Sequence, residues 1–229
     1  MIKIILRPIV RLVRAIIRQS YSAMLSSVLP RPTNGHGRLV RRDNKVKVQI
    51  HFAKGSHIVL NGNIIFQSDL GEIGYTKISV GKNAKLTVLG DFHIGPDVVI
   101  IVGDGAELLI GGKRDASASG MTSSAKIMVR KRVEIGSDTI IAWGTFITDC
   151  DWHNYNGHPC QADVTIGNKV WIAHHTSVLK GVQIPDGCVI AAHSLVLGGE
   201  FIANSLIAGN PAITKRSNIF WQRDMPESR

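Results

Sequence analysis

Cysteine is scarce in this chain: Cys150, Cys160 and Cys188 are the only three in 229 residues. An odd number without an evident secretory leader excludes a disulfide framework and points to a reducing, cytoplasmic compartment. Aromatic residues are few, at 6%, while Gly reaches 23. That balance suits a fold with many turns and little room inside. Long apolar runs are missing too. Lys3, Arg7, Arg11, Arg14 and Arg18 interrupt the N-terminal apolar segment every three or four residues. Neither a membrane span nor a signal-peptide core of the required length remains. There is also no Gly-x-x-x-x-Gly-Lys-Ser/Thr loop and no dinucleotide fingerprint, so nucleotide hydrolysis and hydride transfer have no support.

Charge of one sign is absent from most of the chain as an excess. Residues 1–47 hold eleven Lys or Arg against Asp43 alone, a balance of +10, which is the net charge of the whole protein. Residues 48–229 hold sixteen basic and sixteen acidic side chains. A nucleic-acid-binding domain would carry its basic stripe on the folded body, so nucleic acid is not the expected partner. The spacing of the five cations predicts a basic amphipathic helix over 1–30. One reading lays residues 1–20 on an anionic membrane surface, on the inner face of the cytoplasmic membrane. The other packs the apolar side on the body or on a neighbouring subunit. Residues 31–47, with Pro32, Gly35 and Gly37, read as a linker.

What is present is a period of six. Ile166, Ile172, Val178, Ile184, Ile190 and Val196 recur at that spacing. Four residues after the first five stand Val170, Thr176, Val182, Cys188 and Ser194, all small or β-branched. Ile135, Ile141 and Ile147 continue the frame upstream. Six is neither a helix period nor strand alternation. It predicts an all-β parallel β-helix over 48–212, each hexad forming one side of a three-sided coil, stacked at about 4.8 Å per turn. Residues 111–126 read as a polar coil or an excursion. Residues 213–229 form a C-terminal tail whose Ile219, Phe220 and Trp221 cap the open end or dock on a neighbour.

The stretch "VTIGNKVWIAHHTSVLKGVQIPDGCVIAAHSLV", followed by "IAGNPA", resembles the C-terminal coils of hexapeptide-repeat acyltransferases. The preceding "EIGSDTIIAWGTFITDCDWH" is similar to a subgroup with an Asp-x-Asp-x-His motif, associated with bacterial surface polysaccharide O-acetylation. The resemblance implies a left-handed coil, a homotrimer with active sites between adjacent prisms, acetyl-CoA as acyl donor and a saccharide acceptor. It brings no metal.

The loop "DCDWHNYNGHPCQAD", residues 149–163, breaks the hexad frame and gathers the chemistry. His153 matches the catalytic position of the motif, and an imidazole suits general-base work near neutral pH. Asp149 or Asp151 would hold one imidazole nitrogen, the other carboxylate binding acceptor hydroxyls; the sequence does not separate the two. His158 and Trp143 are candidate substrate contacts, and Trp171 matches an aromatic wall of the family's pocket. The acyl donor's long arm is expected along coil edges at Ala173, Ala191 and Ala192. Lys180, Lys215 and Arg216 are candidates for its phosphates. His174 and His175 either line the inter-subunit groove or are structural.

The acceptor could also be an amino sugar. Two other readings stand beside acetyl transfer. His153 and His158, with Asp149, Asp151, Cys150 and Cys160, could ligate zinc in the manner of the hexapeptide-repeat carbonic anhydrases. Alternatively the prism is a non-catalytic scaffold.

Overall fold

The computed structural model describes residues 29–112, 119–154 and 156–223. The helix expected over 1–30 therefore falls outside the described residues. No helix among those described is long and apolar enough to cross a membrane.

Twenty-two short strands among the described residues stack in three almost wholly parallel sheets that form the walls of a triangular prism. The chain visits them in fixed rotation. Face 1 holds nine strands, from Leu39–Arg41 to Ala212–Arg216. Face 2 holds seven, from Val46–Phe52 to Leu195–Val196, and face 3 holds six, from His57–Leu60 to Gln183–Ile184. Register follows the hexads. Ile166 pairs with Ile184, Ile172 with Ile190 and Val178 with Val196, each partner lying three hexads further on, which is one full coil. Ile141 pairs with Ile172, a longer step than three hexads; the surplus chain is the loop.

The inward aliphatic residues make one continuous column. Ile166, Ile172, Val178, Ile184, Ile190 and Val196 are all at most 2% exposed. Each is worth about 1.5–3 kcal/mol relative to an exposed side chain, and one coil alone could not bury them. The small residues sit at the corners. Thr176 is fully buried, and its hydroxyl donates to the carbonyls of Ala173 (2.8 Å) and Ala191 (3.2 Å). The residue just before several of these, such as His175, Lys169 and His193, has a left-handed backbone that turns the chain onto the next face.

Corner amides are capped from the coil above. Along the edge between faces 3 and 1, Asp91 accepts from the Asn63 amide at 2.6 Å. Asp186 accepts from the Asn168 amide at 2.7 Å, and Asn168 from the Ser137 amide at 2.9 Å. Gly62 stands on the same edge, where an added Cβ would run into the backbone of Gly90 and Asp91 in the next coil. Gly62→Ala is expected to cost about 1–3 kcal/mol, because backbone cannot step aside as a side chain can. Thermal unfolding of the variant checks it.

The prism starts earlier than the period suggests. Leu39–Arg41 pairs in parallel with Ile64–Phe66, and the amides of Thr33 and Asn34 both donate to the Ile58 carbonyl. The stretch 31–47 is therefore partly first coil rather than only linker. Its Gly, Pro and Arg residues hide the hexad frame. Of 111–126, Gly120–Met121 is a strand of face 1, an ordinary part of a coil.

Among the described residues, Trp221 of the tail packs on an edge of the prism rather than over its open end. Ala212–Arg216 turns back antiparallel on Leu206–Gly209, the one antiparallel pair among the named strands. The chain then returns along the edge between faces 3 and 1. Trp221 is 8% exposed and its indole Nε1 donates to the Lys169 carbonyl at 3.0 Å. The Arg223 guanidinium donates to the Asp138 carboxylate (Nε, 2.9 Å) and carbonyl (Nη2, 2.8 Å).

Candidate active site

The loop leaves the prism at the edge between faces 2 and 3, and its neck is tied on three sides. Across the neck, Cys150 and Gln161 form an antiparallel bridge. The Asp151 amide donates to the Cys160 carbonyl at 2.8 Å, and the Ala162 amide to the Asp149 carbonyl at 3.0 Å. Toward the preceding coil, the Asp149 side chain is fully buried. Its two oxygens accept from the Arg130 and Lys131 amides, both at 2.7 Å. Toward the following coil, the Lys180 ammonium ion-pairs with Asp151 and donates to the Pro159 carbonyl at 2.6 Å. Lys131 adds an ion pair with Asp163 at 2.7 Å.

The tip beyond this neck is exposed. His153 is at the surface and, among the described residues, has no hydrogen-bond or ion-pair partner. His158 is also exposed. Trp152 has a positive φ of 65° and lies beneath the Arg130 guanidinium, 5.7 Å from ring to Cζ. The neck thus carries a presented imidazole on a fixed base.

This geometry reassigns three residues. Asp149 does not orient His153: both its oxygens are taken by backbone amides of the coil below. Asp151 is ion-paired with Lys180, and among the described residues no hydrogen bond joins it to His153. Lys180 in turn is not a free cation for phosphate; it clamps the loop. Its separation from Asp151 in sequence hides that it stands one coil above the neck.

The remaining candidates gather on face 1. Trp171 opens the strand Trp171–Ile172 and is 40% exposed. Ala173 and Ala191 follow their strands on the same face, their amides committed to the ladder through the carbonyls of Ile190 and Ile207. Lys215 and Arg216 lie exposed on the last strand of that sheet. From Trp171–Ile172 to Ala212–Arg216 is three strand steps, about 14 Å at strand spacing. Ala192 is one residue further on, at the edge between faces 1 and 2. Trp143 lies on that edge, stacked on His174 at 4.9 Å, away from the loop.

Sequence reasoning missed the tail's part here. Trp221 packs against Trp171 with ring centroids 6.1 Å apart, and Lys169 lies over Phe220 at 4.4 Å. An aromatic patch therefore flanks face 1. The buried thiols offer no competing nucleophile: Cys150 is buried in the loop's neck and Cys188 inside the prism, where burial pushes its thiol up from the ordinary value. The zinc reading of the loop also fails on position. Asp149 and Asp151 are engaged elsewhere, and the metal-capable group among the described residues is His174, His175 and His193, on another edge.

One topological fact governs the site. The loop sits on the edge opposite face 1. The neck that carries His153 and the face that carries Trp171, Ala173, Ala191, Lys215 and Arg216 thus lie on different sides of the same chain.

Residues 163–198 match the model of the bacterial transferase hexapeptide family (six repeats), and the fold around them is a three-sided β-helix. It is 36% identical over 104 residues to an Escherichia coli (strain K12) protein provisionally named lipopolysaccharide biosynthesis O-acetyl transferase WbbJ. That match covers 38% of this chain and 51% of the relative, so the chain spans about half of the relative's length. A Klebsiella pneumoniae relative, an uncharacterized 24.8 kDa protein in a cps region, is 28% identical over 81% of this chain and 84% of its own. Among solved structures, the crystal structure of the polySia specific acetyltransferase NeuO aligns over 82% of this chain and 89% of its own. The identity is 21% and the TM-score 0.48.

Proposed function

We propose that the protein transfers the acetyl group of acetyl-CoA to a sugar hydroxyl of a bacterial surface polysaccharide, or of its lipid-linked or nucleotide-linked precursor. It works as a homotrimer whose active sites each use the loop of one protomer and face 1 of its partner. The observation that supports this reading is that the loop leaves the prism at the edge opposite face 1, the surface that suits the donor. Two copies side by side unite them; one copy does not.

In this mechanism His153 takes the proton of the acceptor hydroxyl as its oxygen attacks the thioester carbonyl. The new carbon–oxygen bond forms, the carbon–sulfur bond breaks, and the imidazolium returns its proton to the departing thiolate. Backbone amides beside the thioester steady the oxyanion. Lys215 and Arg216 serve the donor's phosphates, with Trp171 and Trp221 walling the pocket. Asp149 and Lys180 position the loop. The relatives' names support a polysaccharide acceptor. The +10 charge of residues 1–47 supports attachment to an anionic membrane surface beside lipid-linked glycans.

The test is complementation between two disabled chains, His153→Ala and Trp171→Ala, assayed by transfer of labelled acetyl to surface-glycan fractions. Each alone is expected to be inactive or nearly so. Co-expressed, they form mixed oligomers in which an intact loop meets an intact face, and turnover rises well above either parent. Mixed oligomers without recovery would overturn the shared site.

A further inference from the structure

The edge between faces 1 and 2 carries a second constellation, whose three imidazoles have no part in the proposed acetyl transfer. Here Trp143 and Gly144, then His174 and His175, then Ala192 and His193 stack coil on coil. The His175 amide donates to the Trp143 carbonyl at 2.9 Å, and the His193 amide to the His174 carbonyl at 3.1 Å. His175 and His193 both take the left-handed backbone, with φ of 54° and 58°, where the coil below uses Gly144. Their rings therefore leave the corner in the same direction, centroids 5.2 Å apart. His174 faces both edge-on, at 5.3 and 5.0 Å.

We propose that His174, His175 and His193 bind a divalent transition-metal ion, zinc being the reference case, through three imidazole nitrogens that bridge two successive coils. One nitrogen from each of the three rings lies within 4.8 Å of the other two. Nδ1 of His174 and Nδ1 of His175 are already 3.0 Å apart. Tetrahedral zinc at about 2.0–2.1 Å from each nitrogen needs them about 3.3 Å apart. Small rotations of His175 and His193, both exposed, close the remaining gap.

Imidazole is a fitting donor for zinc, nickel and copper and a poor one for magnesium or calcium. None of the three forms an ion pair among the described residues, so no fixed carboxylate holds their ring N–H groups in another orientation. Trp143 lies flat on His174, interplanar angle 1°, and fixes the plane of that ligand. Gly144 leaves the room that His175 occupies: an added Cβ would come within 2.8 Å of its ring. Three ligands leave a fourth position for water. The three ligands lie on a different edge from the loop and are not among the residues assigned to acetyl transfer, although they border Ala173 and Ala191 of face 1.

The test is zinc titration of the full, tagless chain by calorimetry, with cobalt absorption reporting geometry. One zinc per chain is expected, along with the intense visible bands of four-coordinate cobalt and a thermal transition that rises with zinc. His174→Ala and His193→Ala should each weaken binding by about tenfold or more, as loss of a ligand costs at least what loss of its outer support does. His153→Ala and His158→Ala should leave zinc binding unchanged, magnesium should not compete, and acetyl transfer is assayed separately. Uptake no greater than that of the His174→Ala/His193→Ala double variant would overturn the proposal. So would binding that survives in the double variant, or that disappears with the loop substitutions.

Discussion

Replacing His153 with Ala is expected to lower kcat for acetyl transfer by about 10²–10⁴-fold, the usual worth of a positioned general base. CoA binding, oligomer size and thermal stability should stay at wild-type values. The two halves of this expectation have separate causes. The rate falls because neither carboxylate of the motif can take the hydroxyl proton in its place: Asp149 is buried under two amides and Asp151 is paired with Lys180. Stability holds because the side chain is exposed and partnerless among the described residues, so its removal leaves no cavity and no unpaired polar atom. Calorimetry with CoA and steady-state rates at saturating donor separate the two. Near-normal turnover with intact CoA binding would remove His153 from the mechanism. A fall in both together would mean that the loop shapes the donor site rather than acting on the acceptor.

How much of this is readable from sequence depends on whether the information lies within a coil or between coils. The aliphatic column from Ile166 to Val196 is visible because burial recurs at every hexad, and the corner residues Val170 to Ser194 follow from it. The loop is visible as a break in that frame. Contacts between coils are harder to see. Lys180 reads as a free cation because nothing nearby in sequence opposes it; its partner Asp151 stands far earlier in the chain, across the corner and beyond the whole loop. Trp221 reads as an end cap because the sharp return after Ala212–Arg216 gives no periodic sign of direction. The His175–His193 stack is in principle legible: the two stand three hexads apart, one full coil, so register alone places one above the other. The first coil escapes for the opposite reason. Between Thr33 and Arg42 the frame is filled with Gly, Asn and Arg, and Leu39 is the one aliphatic side chain that is buried.

The division of labour within Asp-x-Asp-x-His yields the second large effect, which falls on stability rather than chemistry. Asp149→Asn keeps the size and shape of the side chain but turns one acceptor into a donor. One of the Arg130 and Lys131 amides then faces an N–H group, and the neck loses its tie to the coil below. Leaving buried donors unsatisfied costs about 1–3 kcal/mol each, so Asp149→Asn and Asp149→Ala should destabilise by roughly 2–4 kcal/mol. For a chain of this length that is a fall in Tm of about 5–15 °C. Activity falls too, but through a loosened neck that mispositions His153. The residual activity should therefore recover on cooling, as the neck re-forms. An acid that oriented the imidazole would behave differently. Its Asn variant would unfold at the wild-type temperature while kcat dropped at every temperature. A differential scan of Asp149→Asn beside its rate at low and moderate temperature decides between anchor and triad acid. An unchanged Tm with a temperature-independent rate loss would return Asp149 to the side of His153.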